Sequence, residues 1–394
     1  MKTASHKKEQ SQMNPAGCFA RQVFSLSPAI LERAYSSYRN NDQVRLDIVK
    51  ELAAFERLRD YQPESVAIDK LIIPSGGSIH DYYSQAPYWF PDPALPGGLP
   101  YIRKDGEFNP EAVSESSDHK KMNRMISNIY AFSVLFIFTR DETAAAKAVG
   151  LLRHWFLNPG TAMNPHLNFG QAIPGINTGR DAGIIETHIF IQVIDAMIML
   201  KDSSHWTASD KDGMKSWMAS YLDWLRQSKI GQDEKNAPNN HGIWYIALAM
   251  KLAAWCCRDA MVEEYIAQAR ERIAMQICPD GSMPEELKRT QSWGYSIFCI
   301  SAFLAAAAIA REYGEDLFNY QTRDGAGIRR SIDFLTEFAS GVKSWTFPEL
   351  YAFAPEKLTP VLYIGALNYR DDKYLRVLET LTAYDDMSGA LFFR

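Results

Sequence analysis

Two short stretches of this 394-residue chain carry side chains able to hold an anion and to move protons. In APNNHGIWY, residues 237–245, Asn239, Asn240 and His241 sit in a Pro/Asn loop directly before an apolar run that predicts a helix over 242–256. The start of a helix presents unpaired N–H groups and the positive end of the helix dipole. An anion is therefore favoured there, and Asn240 and His241 can add side-chain donors to it. One asparagine is needed as the helix N-cap, a role that falls to Asn239, leaving Asn240 or His241 to face a ligand. Further on, PDGSMPEELKRTQSWGYS, residues 279–296, supplies Arg289 and Tyr295. If that segment is helical, these two lie within about 120° of each other around the axis and can share a cleft. The competing reading is a surface arginine followed by a tyrosine at the edge of the core.

The elements that must position these residues read as helices. Apolar side chains recur at helical spacing over 27–59, 119–139, 142–156, 183–200, 208–227, 242–256, 259–277, 292–312, 326–339 and 358–381, with Gly, Pro, Asn or Asp between them. Convincing alternating strands are nearly absent. Such a succession of helical hairpins predicts an all-α fold, and the length suits an incomplete (α/α) barrel, or toroid, better than a four-helix bundle. The organisation expected is a polar tail over 1–26 and a single domain over 27–394. Three segments break the helical rhythm, 72–118, 158–182 and 231–241, and long loops in a compact domain usually serve a function. Within the first, HDYYSQAPYWFPDP (80–93) combines Tyr82, Tyr83, Tyr88, Trp89 and Phe90 with Gln85 and Asp92. Flat apolar faces beside hydrogen-bonding groups are what pyranose rings require, so Gln85, Tyr88 and Trp89 are candidate sugar contacts. The same aromatics could instead pin the loop to the helical body.

Composition sets further bounds. A net charge of −5 carries no basic excess, which argues against nucleic acid as a partner and requires a locally basic cleft for any anionic substrate. The apolar 296–310 stretch is short of a membrane span, so no membrane partner is expected. The N-terminus lacks the apolar core of a signal peptide. As written, the sequence reads as cytoplasmic, or as secreted or periplasmic if a leader was removed. Five cysteines without CxxC spacing indicate neither a disulfide framework nor a zinc site, and read as buried free thiols. No cofactor and no catalytic metal are expected, since His80, His188 and His241 show no ligand spacing.

Four ordered motifs, HDYYSQAPYWFPDP, NFGQAIPGINTGRDAGIIET (168–187), NNHGIWY and ELKRTQSWGYS, together resemble the alginate lyase superfamily of polysaccharide lyases over residues 70–310. The glycine after the histidine and the RTxSxxY spacing are similar to the branch that cleaves β-1,4-glucuronan, whereas the better-known mannuronate-specific lyases resemble NNHxYW with a longer Arg-to-Tyr interval. The resemblance implies an incomplete (α/α) barrel that cleaves a polyuronate by β-elimination, leaving C4=C5 unsaturated ends. It further implies that Asn240 and Arg289 neutralise the uronate carboxylate, with His241 beside them and Tyr295 near the scissile bond.

Elementary chemistry asks for the same residue types. Removing the C5 proton beside a carboxylate builds more negative charge on that group, which donors and a fixed cation must stabilise. A base must take the C5 proton and an acid must give one to O4, and His and Tyr can exchange protons in such a site. Arg289 and a protonated His241 would favour the Tyr295 phenolate. The substrate partner expected is an acidic polysaccharide or oligosaccharide. In GINTGRDAG, Asn177 and Arg180 are placed as contacts to a second sugar carboxylate, although Arg180 could instead pair with Asp181 or Glu186. His188, Asn239 and Trp244 complete the expected binding set. Two other readings stay open. One is an (α/α)-barrel glycoside hydrolase drawing on Asp92, Glu186, Glu285 or Glu286, and the other is a non-catalytic protein that binds acidic sugars.

Overall fold

The computed structural model describes residues 60–381, together with residue 40. The expected tail over 1–26 and the helix expected over 27–59 therefore lie outside the described residues, residue 40 apart. The architecture is all-α, as the periodicity predicts, and forms a toroid of helical hairpins. Its principal helices are α1 (Asp118–Thr139), α2 (Glu142–Leu152), α3 (Phe190–Met199), α4 (Ala208–Gln227), α5 (Lys229–Asn236), α6 (Asn240–Trp255), α7 (Asp259–Gln276), α8 (Pro284–Leu287), α9 (Ser292–Glu312), α10 (Ile328–Ala339), α11 (Thr359–Tyr369) and α12 (Asp372–Thr380). Four short strands lie in the loops: β1 (Tyr83–Gln85), β2 (Trp89–Phe90), β3 (Ile102–Arg103) and β4 (Phe169–Ala172). β1 pairs in parallel with β4, and β2 antiparallel with β3.

Helix α6 is the axis of the packing. Nearly every side chain from Asn240 to Ala254 is buried, and the helix lies against α3, α4, α5, α7 and α9. A helix that is apolar all round can be stable only when surrounded in this way. Its one buried cation, Lys251, is fully covered and donates to Asp195 of α3 at 2.6 Å. Deleting either partner would strand a charge, at a cost of roughly 3–5 kcal/mol. By length and composition Ser292–Glu312 could cross a membrane, a property that the reading of 296–310 as too short overlooked; 61% of its apolar window is buried inside the body. Asp181–Asp202 passes the same test with 78% of its window buried.

Several boundaries differ from the sequence reading. The helix expected over 183–200 starts at Phe190, because Asp181–Thr187 tightens into a 3-10 turn. The helix expected over 358–381 breaks at Arg370, which takes a left-handed conformation (φ 49°) and separates α11 from α12. The segment 231–241 is partly helical, since α5 occupies its first half, started by a Ser228 side chain that accepts from the Gly231 N–H. Cys256, Cys278 and Cys299 are free, but Cys257 is disulfide-bonded, which corrects the expectation that all five cysteines are free thiols.

The chain enters α6 along a tightly held path. Arg272 of α7 donates to the Ala237 carbonyl at 2.5 Å and to that of Lys235, and Gln276 donates to the Pro238 carbonyl at 3.0 Å. This close approach explains the glycine that follows His241. A Cβ on Gly242 would lie 2.3 Å from the Ala237 oxygen and 2.8 Å from the Arg272 guanidinium, closer than atoms can pack.

Candidate active site

The start of α6 is built as the sequence suggests. Asn239 is the N-cap, its side-chain oxygen accepting from the His241 N–H at 3.2 Å. The two residues that follow are each gripped by a buried carboxylate. Asn240, only 1% exposed, donates its backbone N–H to Glu286 at 2.6 Å and its side-chain Nδ2 to the other oxygen of the same carboxylate at 2.8 Å. The His241 ring places Nδ1 2.7 Å from Glu234, which α5 carries. Burial pushes the carboxyls of both Glu286 and Glu234 up, and their donors pull them partly back.

Arg289 and Tyr295 do share the cleft, but not by helical spacing. Arg289 lies in the turn between α8 and α9, and Tyr295 in the first turn of α9. The turn folds the guanidinium over the phenol ring, 3.8 Å from its centroid. Asp105 holds the other side of the guanidinium, accepting from Nε at 3.2 Å and Nη2 at 3.0 Å, which leaves the Nη1 edge for a further anion. The Asp105 loop is fastened to the same turn. Thr290 donates to the Asp105 carbonyl at 3.0 Å and Gln291 to that of Gly106 at 2.8 Å. Gly106 has a positive φ of 80°, and a Cβ there would sit 2.3 Å from the Thr290 hydroxyl.

The Tyr295 hydroxyl is 2.5 Å from that of Tyr88. Burial, reinforced by Tyr88, pushes the Tyr295 phenol well above its ordinary value, and Arg289 offsets this only in part. Arg289 thus favours the phenolate as expected, but burial outweighs it. The phenol keeps its proton.

These residues line one cleft of about 420 Å³. Asn239, Asn240, His241, Arg289, Tyr295, Gln85, Tyr88, Arg180 and His188 all face it. Arg180 donates to Gln171 at 2.5 Å rather than pairing with Asp181 or Glu186 at that distance, and its Nε is buried without a hydrogen-bond partner. His188 is clamped edge-on against Trp244 and Phe298 and donates Nδ1 to the Ile185 carbonyl at 2.8 Å; burial lowers its pKa to about 4, so it is neutral near pH 7.

Three expected contacts lie outside the lining. Trp244 is 8% exposed, with its indole N–H on the Phe298 carbonyl, so it backs the wall behind His188. Asn177 accepts from the Ile173 N–H at 3.0 Å and closes the turn that follows β4. Trp89 sits in β2 opposite Arg103, and it is Arg103 that reaches the cleft. His188 and His241 share the cleft lining, with the Ile185 carbonyl and Glu234 as their respective partners, whereas His80 lies outside the lining on the Ala162 carbonyl.

Sequence reasoning did not find Asp105, nor Glu234, Arg103, His119 and Gln171, which also line the cleft, and weighed Glu286 only as an acid for hydrolysis. Of the other acids named for that chemistry, Glu186 accepts from Tyr82 and Ser84, Glu285 pairs with Lys288, and Asp92 accepts from the Ala94 N–H. Arg103, Arg180 and Arg289 supply the local cations that a chain of net charge −5 needs to receive a polyanion.

Comparison with known proteins agrees with the fold. The family model for alginate lyase matches residues 65–345. A crystal structure of an alginate lyase from Bacteroides ovatus is 31% identical, with a TM-score of 0.88, and the match covers 94% of this chain and 98% of that one. Alginate lyase A1-III from Sphingomonas species A1 shares the fold at 12% identity, TM-score 0.58, with coverage of 97% and 99%. A variant of A1-III complexed with a tetrasaccharide is likewise 12% identical, at TM-score 0.60, covering 95% and 96%. A search of curated protein sequences finds no match.

Proposed function

The chain belongs to the alginate lyase family of polysaccharide lyases, and from that premise we propose that it cleaves a β-1,4-linked polyuronate, glucuronan or polymannuronate, by β-elimination at the Asn240, His241, Arg289 and Tyr295 cluster. The observation that carries this reading is the stack of Arg289 on Tyr295, 3.8 Å from guanidinium to ring, in the same cleft as Asn240 and His241. A cation and a proton donor are thereby side by side. The uronate carboxylate takes the Nη1 edge of Arg289 and the remaining N–H of the Asn240 amide, where charge that develops on removal of the C5 proton is stabilised.

Tyr295, protonated at rest, gives its proton to O4 as the C4–O4 bond breaks. Removal of the C5 proton falls to His241 or Tyr295; glucuronan and polymannuronate have the same configuration at C4 and C5, with the C5 proton and O4 on one ring face, so both residues act from that face. Gln85, Tyr88, Arg180 and His188 contact the sugars on either side of the scissile bond. Trp244 supports His188 from behind, Asn177 closes the turn that precedes Arg180, and Trp89 orders the loop of Tyr88. The tetrasaccharide held by an A1-III variant supports an oligomeric substrate for the shared fold.

The test is ultraviolet absorbance of the unsaturated product during incubation with polymannuronate, polyguluronate, glucuronan and a neutral glucan. A rise on a β-1,4-linked uronan and none on the glucan is expected. No rise on any uronan would overturn the reading.

A further inference from the structure

Glu234 has no place in the chemistry described so far, yet it is the residue most tightly joined to His241. It is 1% exposed, and its Oε1 lies 2.7 Å from Nδ1 of the ring. Its backbone cannot drift. Ser228 caps α5, Arg272 grips the Lys235 carbonyl one residue on, and the helix is packed against both α6 and the Asp181–Thr187 turn. An ionised carboxylate can only accept a hydrogen bond. The ring nitrogen facing it must then carry a proton, and the other nitrogen of a neutral imidazole must be a bare acceptor.

Which member of the pair holds the proton decides what His241 can do. If Glu234 kept it, the ring would be protonated on Nε2 and could only donate to substrate. If the ring keeps it on Nδ1, Nε2 has a lone pair able to receive a proton from carbon. The neighbouring charges bear on this balance from opposite sides. Arg180, from the end of the loop after β4, favours the Glu234 carboxylate, Asp181 beside it opposes, and burial opposes most strongly. Glu286 and Arg289 complete the charged surroundings of the His241 ring.

We propose that Glu234 is a positioning residue that fixes His241 as the Nδ1–H tautomer and presents Nε2 to the cleft as a proton acceptor. The inference rests on the elimination reading, with His241 as the base, for its catalytic consequence. In the step it serves, the C5 proton moves to Nε2 and the electron pair of that bond becomes the C4=C5 double bond. The C4–O4 bond breaks, and O4 takes the Tyr295 proton. The imidazolium that results is held beside the Glu234 carboxylate, as buried carboxylates hold histidines in other proton-transfer sites. A purely structural ion pair would make no demand on the tautomer.

The experiment is a long-range ¹⁵N–¹H spectrum of the imidazole rings, with His241 assigned by the signals lost in His241→Gln, combined with steady-state kinetics on a cleaved uronan. The wild type is expected to show the proton on Nδ1. Glu234→Leu shifts the ring to the Nε2–H form and lowers kcat by about 10²-fold or more with little change in KM, the loss that a wrong tautomer brings. Glu234→Gln, whose amide oxygen still accepts from Nδ1, keeps the tautomer and recovers part of kcat. Adding Glu234→Leu to His241→Gln costs little further activity, because the two act as a unit. Should the leucine variant not fold, Glu234→Asp, which withdraws the carboxylate by one methylene, is read in the same way.

An Nε2–H ring in the wild type, a tautomer unmoved by loss of the carboxylate, or full kcat after the tautomer changes would each overturn the proposal. If no uronan is cleaved, the functional reading and the catalytic part fail together, while the ring spectrum still decides whether Glu234 sets the tautomer.

Discussion

The residues that line the cleft are held in two different ways. Asn240, His241 and Arg289 are each held by a buried or half-buried carboxylate, Glu286, Glu234 and Asp105, that reaches in from a separate segment of the chain. His188 is held instead by ring edges, with Trp244 and Phe298 at 4.8 and 5.2 Å, and by one backbone carbonyl. The carboxylate contacts fix direction, because a hydrogen bond fails when its angle is lost, whereas ring contacts tolerate rotation and mainly define shape. In the elimination proposed above, the groups that meet developing charge are the directionally held ones. Tyr295 combines both kinds of contact, lying under a guanidinium and touching the hydroxyl of Tyr88.

The sharpest way to break this contrast is at Tyr295, where the two kinds of contact meet. Tyr295→Phe keeps the ring under Arg289 and removes only the hydroxyl, so turnover should fall by about 10²- to 10⁴-fold while thermal stability and oligosaccharide binding persist. Steady-state kinetics with a binding titration checks this. Arg289→Ala should lower kcat by about 10²-fold or more, the loss expected when a group that stabilises developing charge is removed; an effect confined to KM would make Arg289 a binding residue only.

Glu286→Gln probes the scaffold behind Asn240. Both carboxylate oxygens accept from Asn240, and an amide offers only one acceptor, so one buried donor is left facing an NH₂ group. A loss of about 1–3 kcal/mol in urea denaturation is expected, with a fall in kcat as Asn240 loses its fixed orientation.

The ring-held His188 should respond to pH through stability instead. His188 titrates at about 4 in the folded protein because burial disfavours its cation, while an unfolded histidine titrates near 6.5. Between those values the unfolded chain takes up the proton first. The His188 contribution is therefore fully present above about 6.5 and lost as pH falls toward 4. Melting temperature against pH should decline less steeply in His188→Phe, which keeps a ring between Trp244 and Phe298.

Much of this was legible in the sequence, and what was hidden has a common cause. The α6 helix announces itself by an unbroken apolar run behind Asn-Asn-His, and its N-cap by the asparagine type. Periodicity also places α4, α7 and α9 within a residue or two. The carboxylates that hold the site carry no comparable mark. Glu234 lies seven positions before His241 in a segment that reads as loop, and α5 turns it inward only because Ser228 and Arg272 fix that short helix from both ends. Asp105 meets Arg289 across 184 positions, a pairing that no local pattern encodes. Arg289 and Tyr295 illustrate the reverse case, in which a helical spacing suggests proximity and a turn between two helices supplies it. Trp244 and Asn177 belong to the right motifs, yet their own hydrogen bonds to Phe298 and Ile173 turn them to supporting the cleft from outside its lining.

The most direct test of the central claim is the mass of the product. Exhaustive digestion of a uronan in ¹⁸O-labelled water, followed by mass spectrometry, should give oligomers one water lighter than the hydrolytic product and with no label from bond cleavage. Oligomers that carry one added water and the label would mean that the Arg289 and Tyr295 cluster serves hydrolysis, and would contradict the account.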